Sequence, residues 1–539
     1  MKRWQSREQR KELLLNLVQI PSVTGSISEV EIPKYIVEQI NKLEYFQLNE
    51  GHVRLYPTDD GRQLVTALVK RDPQVKKTVI LVSHFDVVDV QDYGSWKEKA
   101  FHAQELTELF YSSKQDMPLQ VQKDMEQGRW LFGRGTMDMK CGLVMHMSML
   151  EKAALGELDG NVLLLAVPDE EANSVGMRAA VPALLELARE FELEYQVVLN
   201  SEPMFARYPG DLNQYIYTGS IGKILPGFLC YGKETHVGEP FSGLNANLMA
   251  SQVTCEMELN TEFCEVVEGE VTPPPTNLIQ MDLKEEYSVQ IPHRAVTLFN
   301  LFLYERSMTE LQELLVTAAT RAAGQIEQSY KQQSERFSRL EKSKPGEVEV
   351  KVKTFSELME YATEVYGTNK VQEVIQTVTA ARGDKDDRDA TISLVDEIAI
   401  LCKDLAPMIV VFFAPPFYPA ISSRNHPLVE KVVKDMVDYA KVVHGLEWLE
   451  QNYFGGISDL SYAGLQFPVD QMSPLVNNMP LWNQGYSLPL KEMEEFDVPV
   501  LNIGPVGRDA HKWTERLDED YAFDILPDVL EVAIKKLLK

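Results

Sequence analysis

Four apolar runs in this chain end in imidazole or carboxylate side chains, and that placement constrains the fold more than any other feature. They are ILVSHFD, closing on His84 and Asp86; LLLAVPDEE, closing on Asp169, Glu170 and Glu171; VVLNSEP, with Glu202; and VLNIGPVGRDAH, with His511. Between Thr78 and Leu199 short β-rich runs alternate with helical patterns: TVILV, a helix from about Lys140, NVLLLAV, a helix from about Met177, then QVVL. That rhythm indicates an α/β sheet. It returns near the end of the chain, with a helix from His426 to His444, a strand at PVLNIG from Pro499 and a closing helix from Tyr521 to Leu538. In open α/β sheets ligands bind beyond the carboxyl ends of the strands, so these side chains are expected to converge. A fifth element, GRGTMDMKCG, sets Asp138 in a Gly-rich turn just before a helix, where its carboxylate can point across the same sheet edge.

The chain has 539 residues, which calls for more than one folding unit. The middle reads differently from the two ends: strand-like segments with Gly and Pro turns follow Tyr217, and a long helical pattern runs from Met308 to about Ser329. This predicts an α/β domain over 1–215 and 420–539, with a mixed central sheet flanked by helices, interrupted by an α+β domain over 216–419. Within the insertion, the polar stretch SERFSRLEKSKPGE from Ser334 is read as a break leading to an extra helical module at about 330–415, and RGDKDDRD from Arg382 as a solvated loop.

Composition removes several function classes. Lys and Arg number 53 against 81 Asp and Glu, a balance of −28 that repels nucleic-acid phosphates and anionic membrane surfaces. The greasiest stretch, MIVVFFAPPFYP from Met408, is broken by prolines and is far shorter than a membrane span. The opening MKRWQSREQRK precedes only LLLNLVQI, and this segment reads as an amphipathic helix rather than a signal peptide. Five cysteines with no C-x-x-C pair fit neither a disulfide scaffold nor a thiolate zinc site, and point to a reducing cytoplasmic home.

Two histidines and several carboxylates from five elements make a metal set. Imidazole with carboxylate suits zinc, and also cobalt or manganese, whereas an all-oxygen cage would indicate calcium or magnesium. One carboxylate can bridge two ions about 3.5 to 4 Å apart, and Asp138 is the candidate bridge. Adjacent side chains on extended backbone point in opposite directions, so Glu170 and Glu171 divide naturally into one ligand and one general base. Asp86, two residues beyond His84, is placed to hydrogen-bond its other ring nitrogen and fix the tautomer. Singly, each acidic strand end reads as a helix N-cap and each histidine as a satisfied core or loop residue; jointly they read as metal ligands.

At these residues the chain resembles the M20 family of dinuclear metallopeptidases and amidohydrolases. The H-x-D-V-V element stands at His84 to Val88, G-R-G-x-x-D-M-K at Gly133 to Lys140, D-E-E at Asp169 to Glu171 and E-P at Glu202 and Pro203. G-G-x-S-D stands at Gly455 to Asp459, and the late G-P with its downstream histidine at Gly504, Pro505 and His511. The resemblance implies a zinc-peptidase-like catalytic domain carrying an inserted lid of the dimerisation type. It implies one metal held by His84, Asp138 and Glu202 and the other by Asp138, Glu171 and His511. Glu170 would then be the general base, taking a proton from a bridging water and delivering it to a departing amine.

The insertion resembles the lid of that family through TGSIGK from Thr218 and GKETHVGEPFSGLNA from Gly232, in which His236 is implied to help stabilise the oxyanion, often across a homodimer. Where relatives place a carboxylate-binding Arg this chain has Phe302, with Arg294 and Arg306 as substitutes. The overall length and the extra module resemble the arginine-utilisation, RocB-type branch. The implied activity is hydrolysis of an amide in a small N-acyl amino acid or short peptide, with aminopeptidase or dipeptidase action, or a non-catalytic binding role on the same fold, as alternatives.

Overall fold

The computed structural model describes residues 2–208 and 210–539. The chain forms two compact units: Met1–Ile221 with Ala420–Leu465 and Pro489–Lys539, and Gly222–Pro419 with Gln466–Leu488. The sequence pattern assigns 420–539 to the first domain. Gln466–Leu488 instead packs with the second, where Asn478 donates to Gln312 and accepts from the backbone N–H of Ser356. These partners lie more than 100 residues away in sequence, so no pattern within the segment signals them.

The first unit is built on an eight-stranded mixed sheet. Its order is Val53–Pro57, Gln63–Val69, Asn161–Val167, Lys77–His84, Glu194–Asn200, Val500–Asn502, Gln214–Tyr217 and Trp448–Gln451. Four consecutive strands, from Asn161–Val167 to Val500–Asn502, run parallel, and His84 lies opposite Val167 while Asn502 lies opposite Asn200. Their carboxyl ends therefore share one edge. Val79, Leu81, Val162 and Leu164 join the main core cluster, and the alternate residues Ile80, Val82, Leu163 and Leu165 are equally buried. Burial of both sets explains why these strands read as continuous apolar runs. Helix Lys140–Ala154 is buried at every residue but Lys152, covered by helices Arg7–Val18 and Leu526–Leu537. The opening segment thus forms a helix, started by a capping box between Ser6 and Gln9.

The second unit holds a five-stranded sheet in the order Thr276–Asp282, Arg294–Leu303, Gly222–Tyr231, Met408–Tyr418 and Lys351–Thr354. Helices Ala246–Met257 and Met308–Glu341 pack on its strands. Leu225, Leu229, Val410 and Phe412 meet a separate core supplied by helices Phe355–Tyr366, Thr368–Ala380 and Asp387–Leu401. Three sequence expectations change here. The long helix runs through the polar stretch to Glu341, because Tyr330, Ser334 and Ser338 keep an inward face that continues its stripe. The extra module also stops short of Met408: MIVVFFAPPFY is a fully buried central strand, its prolines falling near the end, where the register with Gly222–Tyr231 shifts. The charge run from Arg382 is a turn only as far as Asp386, which caps helix Asp387–Leu401 by accepting from the N–H groups of Arg388 and Asp389. Among the described residues no helix is long and apolar enough to cross a membrane.

Candidate metal centre

His84 closes its strand, Asp138 sits just before helix Lys140–Ala154, and Glu170, Glu171 and Glu202 follow the two neighbouring parallel strands. His84 Nε2 lies 3.3 Å from Asp138 Oδ1 and 3.4 Å from Glu202 Oε1. His511 Nε2 lies 3.1 Å from Asp138 Oδ2 and 3.2 Å from Glu171 Oε2. The two oxygens of one carboxylate thus face two different imidazoles, each with its own further carboxylate. Ligand atoms of His84, Asp138 and Glu171 lie within 4.8 Å of one another. Glu170 Oε2 is 3.8 Å from His84 Nε2, beside the cluster.

The residues fit divalent cations on two counts. His84 Nε2 and Glu202 Oε1 are both shut away from water with no hydrogen-bond partner, a costly arrangement that a cation would satisfy. The donor set of two imidazoles and three carboxylates is the chemistry of borderline transition metals. Burial drives the Glu202 and Glu170 carboxyls well above their usual range and raises Glu171 as well. Burial also raises Asp138, but His511 and His84 outweigh it and hold that carboxylate below its usual range. Burial lowers both histidines; Glu202 and Asp138 more than reverse this at His84, while Asp138 and Glu171 push His511 up to about 11.

Asp86 supports His84 through its backbone carbonyl rather than through its carboxylate. Nδ1 of His84 is closest to the backbone carbonyl of Asp86, at 3.0 Å, with the carboxylate Oδ1 at 3.5 Å. A proton on Nδ1 leaves the Nε2 lone pair facing the carboxylates. The Asp86 carboxylate is occupied elsewhere: it accepts from the N–H groups of Glu170 and Glu171 and from the Thr24 hydroxyl. It therefore fixes the turn that carries the proposed base and ligand.

Several residues to which the sequence gives no ligand or base role hold this frame. Asp169, at φ 70°, accepts from the Val175 N–H and from Arg62, which also bonds buried Glu29. Asp169 is not the N-cap of helix Val175–Phe191, which is Ser174, yet its carboxylate holds the first helical N–H, and its left-handed backbone turns the chain between the strand end and Glu170. Burial, aided by the charge of Asp86 and opposed by Arg62, pushes Glu29 up to about 7. Asp459, from the G-G-x-S-D element, is buried and accepts from Ser174. Glu515 accepts from Arg134 at 2.7 Å and from the Gly135 N–H at 2.8 Å, fixing the turn that carries Asp138. An acidic residue four positions after His511 was visible, but its partner 381 residues away was not.

The remaining expected residues lie in the second unit. His236 is on an exposed loop, where its Nδ1 accepts from the Gly238 N–H at 3.0 Å; in the neutral ring this leaves the proton on Nε2. Phe302 pairs across the sheet with Lys223. Neither substitute arginine is uncommitted: Arg294 forms an ion pair with Asp396, and Arg306 donates to the carbonyls of Phe263 and Cys264.

The chain is 49% identical over 536 residues to the Bacillus subtilis protein YqjN, covering 99% of this chain and 97% of that one. It is 31% identical over 542 residues to Bacillus subtilis Protein RocB, covering 99% and 95%. In fold it is similar to an M20 family metallo-carboxypeptidase from Sulfolobus solfataricus, with a TM-score of 0.54 at 14% identity over 98% of this chain and 99% of that one. The description Peptidase family M20/M25/M40 matches residues 80–448, and with full-length relatives and a site assembled from its motif residues, this chain belongs to that family.

Proposed function

We propose that the protein is a dinuclear metal-dependent hydrolase of a small N-acyl amino acid or short peptide, with Glu170 as general base. The observation that carries this reading is the position of Asp138, whose two oxygens face His84 and His511 separately while Glu170 stands beside the same cluster. In this reading His84, Asp138 and Glu202 hold one divalent ion and Asp138, Glu171 and His511 the other, with zinc the first choice and cobalt or manganese acceptable. Ions bound there supply positive charge that polarises an amide carbonyl and acidifies water.

The chain's own groups supply the rest. Glu170 accepts a proton from the attacking water and passes it to the nitrogen of the breaking C–N bond, so that a carboxylate and an amine leave. Asp86 and Asp169 keep the Glu170–Glu171 turn rigid during both transfers. His236, with its proton on Nε2, is a donor of the kind an oxyanion requires, and the family resemblance assigns it that task. The resemblance to the arginine-utilisation branch makes arginine- and ornithine-derived amides the leading substrates, and the acidic balance favours a cationic one.

The test is amine release from a panel of N-acyl amino acids and short peptides by zinc-, cobalt- or manganese-loaded protein, with Glu170→Gln as the paired control. Release by the wild type alone supports hydrolysis and names the substrate class. Silence across the panel, in protein with two metals per chain, favours a binding role.

A further inference from the structure

A cavity of about 510 Å³ opens within the second unit, between helices Thr368–Ala380 and Asp387–Leu401, with Leu481 from Gln466–Leu488 on its wall. Its size is that of a small-molecule site. The two helices are joined by the short turn at 381–386, so they run antiparallel and the ends of the cavity differ in chemistry. The turn end carries Arg382 and Lys385, and the far end carries Asp396 and Glu397 with Glu285. Val374, Val378 and Leu394 line the stretch between them.

The charges are unevenly committed. Arg382 is paired with Asp387, whereas the Lys385 ammonium meets, among the described residues, only the neutral hydroxyl of Ser393, at 3.0 Å. Glu397 has no ion-pair partner among the described residues. Asp396 gives one oxygen to Arg294, and its other oxygen is shielded from water with no hydrogen-bond partner. Lys370, also at the acidic end, is engaged by Glu373 at 3.0 Å. What remains to be satisfied is the Lys385 ammonium, held beside Ser393, and carboxylate oxygens about one helical turn further along. Ser393, which holds Lys385, and Glu397 are four residues apart on one helix, a rise of about 6 Å.

We propose that this cavity binds a small zwitterion, its carboxylate at Lys385, its cationic head at Glu397 and Asp396, and its apolar stem along Val378 and Leu394. The site is separate in its residues from the metal centre and independent of the hydrolase reading. A ligand there would stabilise the three-helix layer on the second sheet, because it would tie together two of those helices.

The probe is 6-aminohexanoate, titrated calorimetrically into the full-length metal-loaded protein, with hexanoate and hexylamine as single-charge controls. Saturable binding tighter than either control is expected, and Lys385→Gln and Glu397→Gln should each weaken it about tenfold, since each removes a charge-assisted contact. Both side chains are exposed, so the variants keep the fold, and thermal unfolding of each checks this. Glu170→Gln should bind the probe as the wild type does. Absence of saturable heat at millimolar probe overturns the proposal. So does equal binding of hexanoate, binding indifferent to both cavity variants, or binding altered by Glu170→Gln.

Discussion

Glu515 and Arg134 form a fully buried ion pair, 2.7 Å between Oε2 and Nη1, that joins the segment following His511 to the turn preceding Asp138. Arg134 also bonds Asp92 and stacks over Tyr93, while the second oxygen of Glu515 accepts the Gly135 N–H. One side chain thus steadies two of the three loops that supply the His511 half of the proposed metal site.

Glu515→Gln removes the charge but keeps the shape, leaving Arg134 buried with a neutral partner on that side. Stability should fall by about 3 kcal/mol. Metal content after dialysis should fall from two ions per chain towards one, because the half that depends on His511 loosens first. Urea unfolding and elemental analysis measure the two effects. Adding Arg134→Met should restore stability without restoring the metal. An unchanged metal content in the single variant would remove this link between the pair and the site.

Glu170→Gln is expected to retain both metals and lose turnover about 100- to 10,000-fold, since the amide cannot accept the proton. Parallel metal analysis and amine-release assays decide it; comparable turnover in the two proteins assigns the base elsewhere.

Asp138→Asn acts differently. Its carboxylate faces both histidines, so weakening it should release metal from both positions and lower the thermal midpoint. The wild type treated with a chelator should show the same lowered midpoint, and returning metal should restore the wild type alone. A variant with full metal content and an unshifted midpoint would show that Asp138 is not shared between two ions.

His146 is buried on helix Lys140–Ala154, with Ser83 Oγ 2.8 Å from its Nδ1, and burial depresses its pKa to about 3. The unfolded chain takes up this proton near pH 6.5 and the folded one does not, so the unfolded state binds more protons below that pH. This contribution to stability is full above pH 6.5 and falls as pH drops, by about 2 kcal/mol at pH 5. His146→Leu should remove that part of the pH dependence. Urea unfolding of both proteins from pH 7 to pH 5 tests it: the wild type should lose stability relative to the variant on acidification, and parallel curves would mean that His146 charges in the folded state.

The candidate ligands and their approximate address were legible in the residues alone. Strand-ending His84, the Asp169–Glu171 run and Glu202 were legible because a parallel strand buried on both sides is a continuous apolar run, and its polar terminus marks the ligand edge. His511 and Asp138 were legible through motif order. Tertiary structure alone decided what holds them. The carbonyl of Asp86 bonds His84 while its carboxylate fixes the Glu170 turn, and Arg134 finds Glu515 far along the chain. Such choices depend on which loops meet in space, and a local pattern carries no record of that. The same reason governs the second unit. Gln466–Leu488 packs there through distant contacts, and the helix continues to Glu341 through a sequence that is polar on the average but keeps an inward face. Periodicity reports which face of a segment is buried; only the folded chain selects the partner that buries it.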